Sequence, residues 1–143
     1  MGTRSAIGIE HQNGKIEAVY CHWDGYLSNN GRILLDHYDR NKTLALVALG
    51  DLSSLRPEIG EKHDFDDRSD ATAGWCKFYG RDREETDIES RTFNDVSDFI
   101  KNFGGSAEYY YVLRLSGIWQ VSQYQREVSD LFDALHEEEL EEN

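Results

Sequence analysis

The sequence predicts an α+β domain, in which a mainly antiparallel sheet of about five strands is covered on one face by three to four helices. The length of 143 residues fits one domain, since domains usually hold about 100–200 residues. The 3 Trp, 8 Tyr and 6 Phe supply the bulky groups that a small core needs. The strand-like segments also pair as hairpins instead of alternating regularly with helices.

Segments rich in Ile, Val, Tyr and Phe predict the strands. They lie at residues 4–10, 15–23, 74–80, 108–115 and 118–124. The first two flank Asn13-Gly14, a pair that favours the positive φ values of a hairpin turn. Ser116-Gly117 joins the last two in the same way, so the sequence predicts a hairpin at the beginning of the sheet and another near its end.

Apolar residues at helical spacing predict the helices. The helical segments are residues 33–38, 44–49, 96–103 and a C-terminal segment from residue 128 onward. Asn29 and Asn30 precede the first helix and can cap it, and Gly104 follows the third as a stop signal. For residues 44–49 a buried strand remains an alternative, because the run is short and entirely apolar.

Val128, Leu131, Phe132 and Leu135 follow the i, i+3, i+4, i+7 pattern of one helix face, which predicts an acidic, amphipathic C-terminal helix. Residues 1–136 are expected to form the domain. The Glu-rich residues 137–143 lie at the negative end of the helix dipole, so we expect this end to be mobile.

The charge excludes one broad class of function. Against 28 acidic residues stand 15 basic ones, and the net charge of -13 repels the phosphate backbone of nucleic acids. Aligned carboxylates instead suit a basic protein surface and can mimic phosphates. The candidate protein-binding residues are Asp64, Asp66, Asp67, Glu127, Asp130, Asp133, Glu137 and Glu138.

Neither a metal nor a cofactor is predicted. The acidic run from Asp64 lacks the Gly and Glu of a calcium loop, having Ser69 at position six and Trp75 at position twelve. The five His are scattered. Cys21 and Cys76 are expected to be reduced and buried. The longest apolar run is far shorter than the roughly 20 residues of a membrane span, and we expect a cytoplasmic protein.

The densest polar and aromatic segment begins at the end of the second strand and predicts a ligand site. Backbone amides at a helix start, with Arg32 in its first turn, suit a phosphate, and Trp23 can stack on a planar ring. The candidate residues are Arg4, His22, Trp23, Asp24, Tyr26, Asn30 and Arg32. The alternative is structural: Asn30 is a cap, and the aromatic rings belong to the core or a hinge.

Two further patterns carry chemistry. Arg81, Arg83 and Arg91 could form a second anion contact, although the acidic residues around them offer local ion pairs. His22 and Asp24 would share one face of a strand, which is half of a general-base arrangement, but no nucleophilic Ser accompanies them. A non-enzymatic protein is therefore the favoured reading.

The stretches GTRSAI (residues 2–7), YCHWDGY (residues 20–26) with Asn30-Gly31, and ALGDLSSL (residues 48–55) resemble a group of small uncharacterised bacteriophage proteins. The similarity covers roughly residues 2–55 and is weaker at residues 79–83 and 109–121. It implies a viral origin and expression in the bacterial cytoplasm. It implies no catalytic residue.

Three functions are consistent with these observations. The favoured one is a phage-encoded, non-enzymatic inhibitor of a host defence or regulatory system, which binds a basic host protein through acidic surfaces. The second is a module that sequesters a nucleotide-type signal, and the third is a small hydrolase using His22 and Asp24. A homodimer through Tyr109 or Tyr111 is an open alternative to burial of these rings under the helices.

Overall fold

Two antiparallel hairpins form the middle of the sheet, as predicted. In the computed structural model, which describes residues 2–141, β1 (Ser5–Glu10) pairs with β2 (Ile16–Cys21). The turn between them contains Gly14 at φ 85°, where a side chain would be strained. The other hairpin joins β6 (Tyr109–Leu113) to β7 (Trp119–Gln123). Both hairpin predictions are confirmed.

The sheet has eight strands, more than the predicted five or so. The additional elements are β3 (Leu52–Ser54), β5 (Arg91–Phe93) and β8 (Ser129–Asp130), whereas the predicted strand at 74–80 corresponds to β4 (Lys77–Phe78). The order is β4-β3-β2-β1-β6-β7-β8, with β5 paired to β2. Most pairings are antiparallel, as expected, but β6 lies parallel to β1 and β3 parallel to β2. The predicted strand at 74–80 is only two residues long, because Tyr79 begins a helix.

Five α-helices accompany the described strands. They are α1 (Arg32–His37), α2 (Arg40–Ala48), α3 (Tyr79–Arg83), α4 (Val96–Asn102) and α5 (Leu131–Glu141). The open alternative at residues 44–49 is resolved in favour of a helix. The Asp39 carboxylate caps α2 by accepting from the Lys42 amide at 2.9 Å, and Asp95 caps α4 in the same way.

Helices cover both faces of the sheet, which corrects the prediction of one covered face. Ile7 and Ile9 of β1 belong to a large apolar cluster with residues of α1, α2 and α5. Ala6, one position away, belongs to a second cluster with Phe99 and Ile100 of α4. Side chains alternate along a strand, so the middle strands, buried on both faces, need a helix layer on each.

The C-terminal helix is acidic, as predicted, but its apolar face is narrower than the spacing indicated. Leu131 and Leu135 are buried, whereas Phe132 is 62% exposed, and Val128 precedes the helix. The helix continues to Glu141. The mobility expected for residues 137–143 stays a prediction, and residues 142–143 lie outside the described residues.

Burial settles two further expectations. Cys21 and Cys76 are free and buried, as expected, and burial raises the pKa of the Cys21 thiol to about 12. Tyr109 and Tyr111 are also buried, so they lie under the helices and offer no dimer surface. Among residues 2–141, no helix has the length and apolar character needed to cross a membrane.

Candidate anion-binding cleft

The end of β2 places Trp23 beside β3. The amides of His22 and Trp23 donate to the carbonyls of Leu52 (3.1 Å) and Ser53 (3.0 Å), which extends the parallel pairing past the named strands. The Trp23 side chain is 43% exposed and packs against Gly2. An aromatic face is therefore held in place at the surface, where the sequence predicted a stacking residue.

The predicted phosphate site at the start of α1 does not form. Asn30 is buried, and its amide nitrogen lies 3.2 Å from Ser5 Oγ and 3.5 Å from Cys21 Sγ. A π-helical turn, Leu27–Gly31, leads into α1, which has no side-chain cap. Arg32 forms ion pairs with Asp36 and Glu139. Asn30 is thus a core residue. Tyr26 is 40% exposed, but Arg32 is engaged in ion pairs and does not form a phosphate site with it.

The structure does not place His22 and Asp24 as a catalytic pair. His22 Nδ1 lies 2.8 Å from the Tyr20 hydroxyl, and among the described residues it makes no hydrogen bond to Asp24. Asp24 has φ 56°, so the chain leaves the extended conformation before Asp24 and the alternation that would align the two side chains is lost. Burial, followed by the Arg4 charge, lowers the pKa of His22.

A cleft opens between the end of β2, the β3–β4 edge of the sheet and the acidic loop at residues 58–70. Its cavity measures about 280 Å³. The lining residues are Trp23, Asp24, Ser53, Ser54, Arg56, Phe65, Arg68 and Lys77. Trp23 and Asp24 belong to the predicted ligand segment. In the structure they lie next to residues that sequence reasoning did not select.

Three basic residues, Arg56, Arg68 and Lys77, give the cleft its character. Within residues 2–141, none of the three has an ion-pair partner. Partial burial, followed by the neighbouring Arg68 charge, lowers the pKa of Lys77. Asp24 lines the same cavity, so the cleft holds three cations against one carboxylate on a chain whose net charge is -13.

The loop is anchored at Phe65. Its ring stacks on Tyr79 with centroids 5.8 Å apart, and the Arg83 guanidinium lies 4.4 Å from the ring centroid. Lys77 Nζ donates to the Asp67 carbonyl at 3.1 Å, which ties the loop to β4. These contacts hold Phe65 and Arg68 at the mouth of the cleft.

The aspartates of this loop act largely on the loop itself. Asp64 accepts from the Asp66 amide at 2.9 Å, and Asp67 accepts from the Ser69 amide at 2.8 Å. Such bonds shape tight turns. In the described residues, no group of three or more His, Cys, Asp or Glu side chains is arranged to hold a metal.

The second predicted anion contact is divided among separate ion pairs. Arg81 is bonded to Asp82 and to the carbonyls of Ile59 and Cys76, so it braces the chain beneath the loop. Arg83 pairs with Glu85. Arg91 lies on the strand beside β2 and contacts both oxygens of Asp51 at 2.8 and 3.0 Å. Local ion pairing, the alternative reading of these arginines, is what the contacts show.

The C-terminal acidic residues belong to or adjoin α5, which packs against β7 and β8 and also against α1 and the Leu27–Gly31 turn. Asp130 accepts from the Asp133 amide at 3.1 Å and so caps the start of α5. Asp133 and Glu137 are exposed, Glu138 is half-buried, and Glu127 borders a groove beside α4. The molecule therefore has a basic cleft at the β3–β4 edge and a separate acidic helix that contributes no residue to its lining.

Comparisons with family models, curated proteins and solved structures return no match for this chain. The cleft must be interpreted from its own chemistry. Sequence reasoning missed Arg56, Arg68 and Lys77 because they are far apart in the chain and Arg68 stands inside an acidic run. One available signal was the polar pair Ser53-Ser54 followed closely by Arg56.

Proposed function

We propose that this protein is a ligand-binding module that holds a nucleotide-type molecule in the cleft. The observation that carries the proposal is the cluster of Arg56, Arg68 and Lys77, without ion-pair partners in the described residues, beside the exposed ring of Trp23. Guanidinium groups bind phosphate oxygens in pairs, and an indole ring stacks on a planar base.

The electrostatics support an anionic ligand. Repulsion among neighbouring cations is relieved when an anion binds. The pKa of Lys77 is lowered first by partial burial and then by the Arg68 charge, while Asp66 and Asp67 act in the opposite direction. Together with the resemblance to bacteriophage proteins, this favours sequestration of a nucleotide-type signal inside the host bacterium.

Isothermal titration calorimetry with ATP, GTP and AMP tests the binding. Arg68 is exposed and is the variant of choice, because Arg68→Ala removes a cation without disturbing the core. A hydrogen bond to a charged group contributes about 1.5–3 kcal/mol, so we expect the affinity to fall at least about tenfold. Lys101→Ala, on α4 beneath the other face of the sheet, is the matched control and should bind as the wild type does. Absence of binding to these mononucleotides and to dinucleotides alike would refute the proposal.

A second candidate function is the inhibition of a host protein through an acidic surface. A groove of about 570 Å³ near α5 contains the exposed apolar side chains of Ile118 and Phe132 and is bordered by Asp36, Asp39 and Asp130. Apolar anchors inside a negatively charged rim suit a basic partner with apolar side chains. This is the specific observation in favour of the inhibitor hypothesis.

Fluorescence anisotropy with a labelled, amphipathic peptide of Lys and Leu tests this surface. Phe132→Ser removes an apolar anchor from the surface and should weaken peptide binding, and added salt should weaken it further. Tyr26→Ser is the control, because Tyr26 is similarly exposed but lies outside the groove. If the two variants bind the peptide equally well, the groove is not the contact.

A further inference from the structure

A second cavity adjoins the cleft. It measures about 200 Å³ and lies under the same loop, toward the residues that precede β4. Its lining residues are Ser54, Arg56, Asp67, Arg68, Ser69, Thr72, Ala73, Trp75 and Lys77. Ser54, Arg56, Arg68 and Lys77 line both cavities, so the basic cluster forms the wall between them.

Each cavity has its own tryptophan. Trp23 lines the cleft and Trp75 lines the second cavity. A glycine packs closely against each ring: a Cβ on Gly2 would lie 2.5 Å from the Trp23 ring, and one on Gly60 would lie 2.3 Å from the Trp75 ring. His63 also packs edge-on against Trp75, with centroids 5.5 Å apart. Two positioned aromatic rings therefore flank one group of cations.

The volumes indicate that the cavities act together. Ligand pockets usually measure about 300–1,000 Å³, and the cavities of 280 and 200 Å³ are each below this range, whereas together they reach about 480 Å³. A ligand that uses both must place a ring at each end and its charged part in the middle. A mononucleotide has only one ring to offer.

The charge balance points to a ligand of low charge density. Across the two cavities, Arg56, Arg68 and Lys77 face the carboxylates of Asp24 and Asp67, a surplus of one positive charge. A phosphodiester carries one negative charge, whereas a terminal phosphate carries about 1.5 to 2. The aspartates would repel the long anionic chain of a nucleoside triphosphate more than they would repel a bridging phosphodiester.

We propose that the ligand is a dinucleotide, with one base in each cavity and the connecting phosphodiester on Arg56, Arg68 and Lys77. The inference rests on the proposed nucleotide-binding function and names the class of nucleotide. The base in the cleft stacks on Trp23, and the other base lies against Trp75. Longer single strands are disfavoured by the net charge of -13, which repels the phosphates that extend past the two cavities.

Calorimetric titration of the whole chain with AMP, with the dinucleotide ApA, with cyclic di-AMP and with an oligoadenylate strand tests the inference. We expect at least one of the two dinucleotides to bind tenfold or more tightly than AMP. The oligoadenylate should bind no more tightly than that dinucleotide. If AMP matches the dinucleotides, the inference is overturned while the proposed function stands; if none of the probes binds, both fail. If the oligoadenylate binds more tightly than either dinucleotide, the inference is overturned and the ligand is a longer single strand.

A blocking variant tests the second cavity directly. Ala73 is exposed and lines this cavity, so Ala73→Phe should fill the cavity without disturbing the core. It should remove the advantage of the dinucleotide over AMP. Ala71→Phe is the matched control, because Ala71 is also exposed but does not line the cavity. Equal dinucleotide affinity in the two variants would show that the second cavity holds no part of the ligand.

Discussion

At the level of single residues, the surroundings of Trp23 explain why one part of the predicted site survives in the structure. The sequence singled out an aromatic ring next to polar residues, and that ring is exposed at the cleft. The partners were misassigned: Asn30 and Arg32 follow closely in the chain, but Asn30 is directed into the core and Arg32 is paired with α5. Local sequence was sufficient to predict Trp23 as a site residue, but it did not predict the residues that lie beside it in the cleft.

Gly2 controls the position of the Trp23 ring. A Cβ at this residue would lie 2.5 Å from Trp23 Cε3 and 2.9 Å from the His22 carbonyl oxygen, so Gly2→Ala must displace the ring. We expect a shift in tryptophan fluorescence and weaker binding of AMP, because a stacked base contributes about 1–3 kcal/mol. Gly74→Ala is the control, since a Cβ there meets no atom within 4 Å. Unchanged fluorescence and affinity in Gly2→Ala would show that the ring is not held by this contact.

His22 makes stability depend on pH. Its pKa in the folded protein is lowered by burial and by Arg4, below the usual value of about 6.5, so the unfolded chain binds more protons in the interval between the two values. The free energy of unfolding should therefore rise as the pH rises through this interval and then level off. Urea unfolding between about pH 5 and 8 measures the effect.

The control for this dependence is a second histidine. His22→Gln should flatten the rise below pH 6.5, whereas His136→Gln on α5, whose side chain is exposed, should keep it. A rise of the same size in His22→Gln would assign the pH dependence to another group.

At the level of elements, the helix caps differ from the sequence expectation: α1 has no side-chain cap, and α2 is capped by Asp39, which the sequence pattern did not single out. The carboxylate of Asp39 satisfies the Lys42 amide at the start of α2. Asp39→Ala should lower the free energy of unfolding by about 1 kcal/mol, which is typical of a lost N-cap. Chemical denaturation followed by circular dichroism measures the loss. Asp66→Ala, an exposed aspartate outside any helix, should cost much less, and a similar loss in both would argue against a capping role.

Strand length explains which elements could be predicted. The hairpins at β1–β2 and β6–β7 have five or six residues per strand and turn sequences of their own, so local pattern was sufficient. β3, β5 and β8 have two or three residues each and depend on pairing with the strand beside them, so local pattern did not predict them; β4 was predicted at 74–80 but is only two residues long. The cleft lies on two of these short strands, and it was missed for the same reason.

For the whole molecule, the separation of opposite charges is the main feature. Every residue that lines the basic cleft lies between residues 23 and 77, and none belongs to α5. Salt also screens exposed charges, with a Debye length of about 8 Å at physiological ionic strength. The two surfaces should therefore act independently.

Neutral replacement on α5 tests that independence. Asp133→Asn combined with Glu137→Gln should leave the affinity for AMP unchanged at physiological salt, while it weakens binding of the basic peptide at the groove beside α5. Titration of one preparation with both probes gives the comparison. A change in AMP affinity of more than about twofold would mean that the acidic helix influences the cleft through the fold.

The parallel pairing of β1 with β6 also determines when the protein can fold. Ser5 lies opposite Tyr109, so the middle of the sheet joins segments made at widely separated times during synthesis. Contacts of such long sequence separation slow folding. Until residues 109–113 have left the ribosome, the β1–β2 hairpin presents an open, apolar edge to its surroundings. The nascent chain is therefore exposed to chaperones and to aggregation for most of its synthesis.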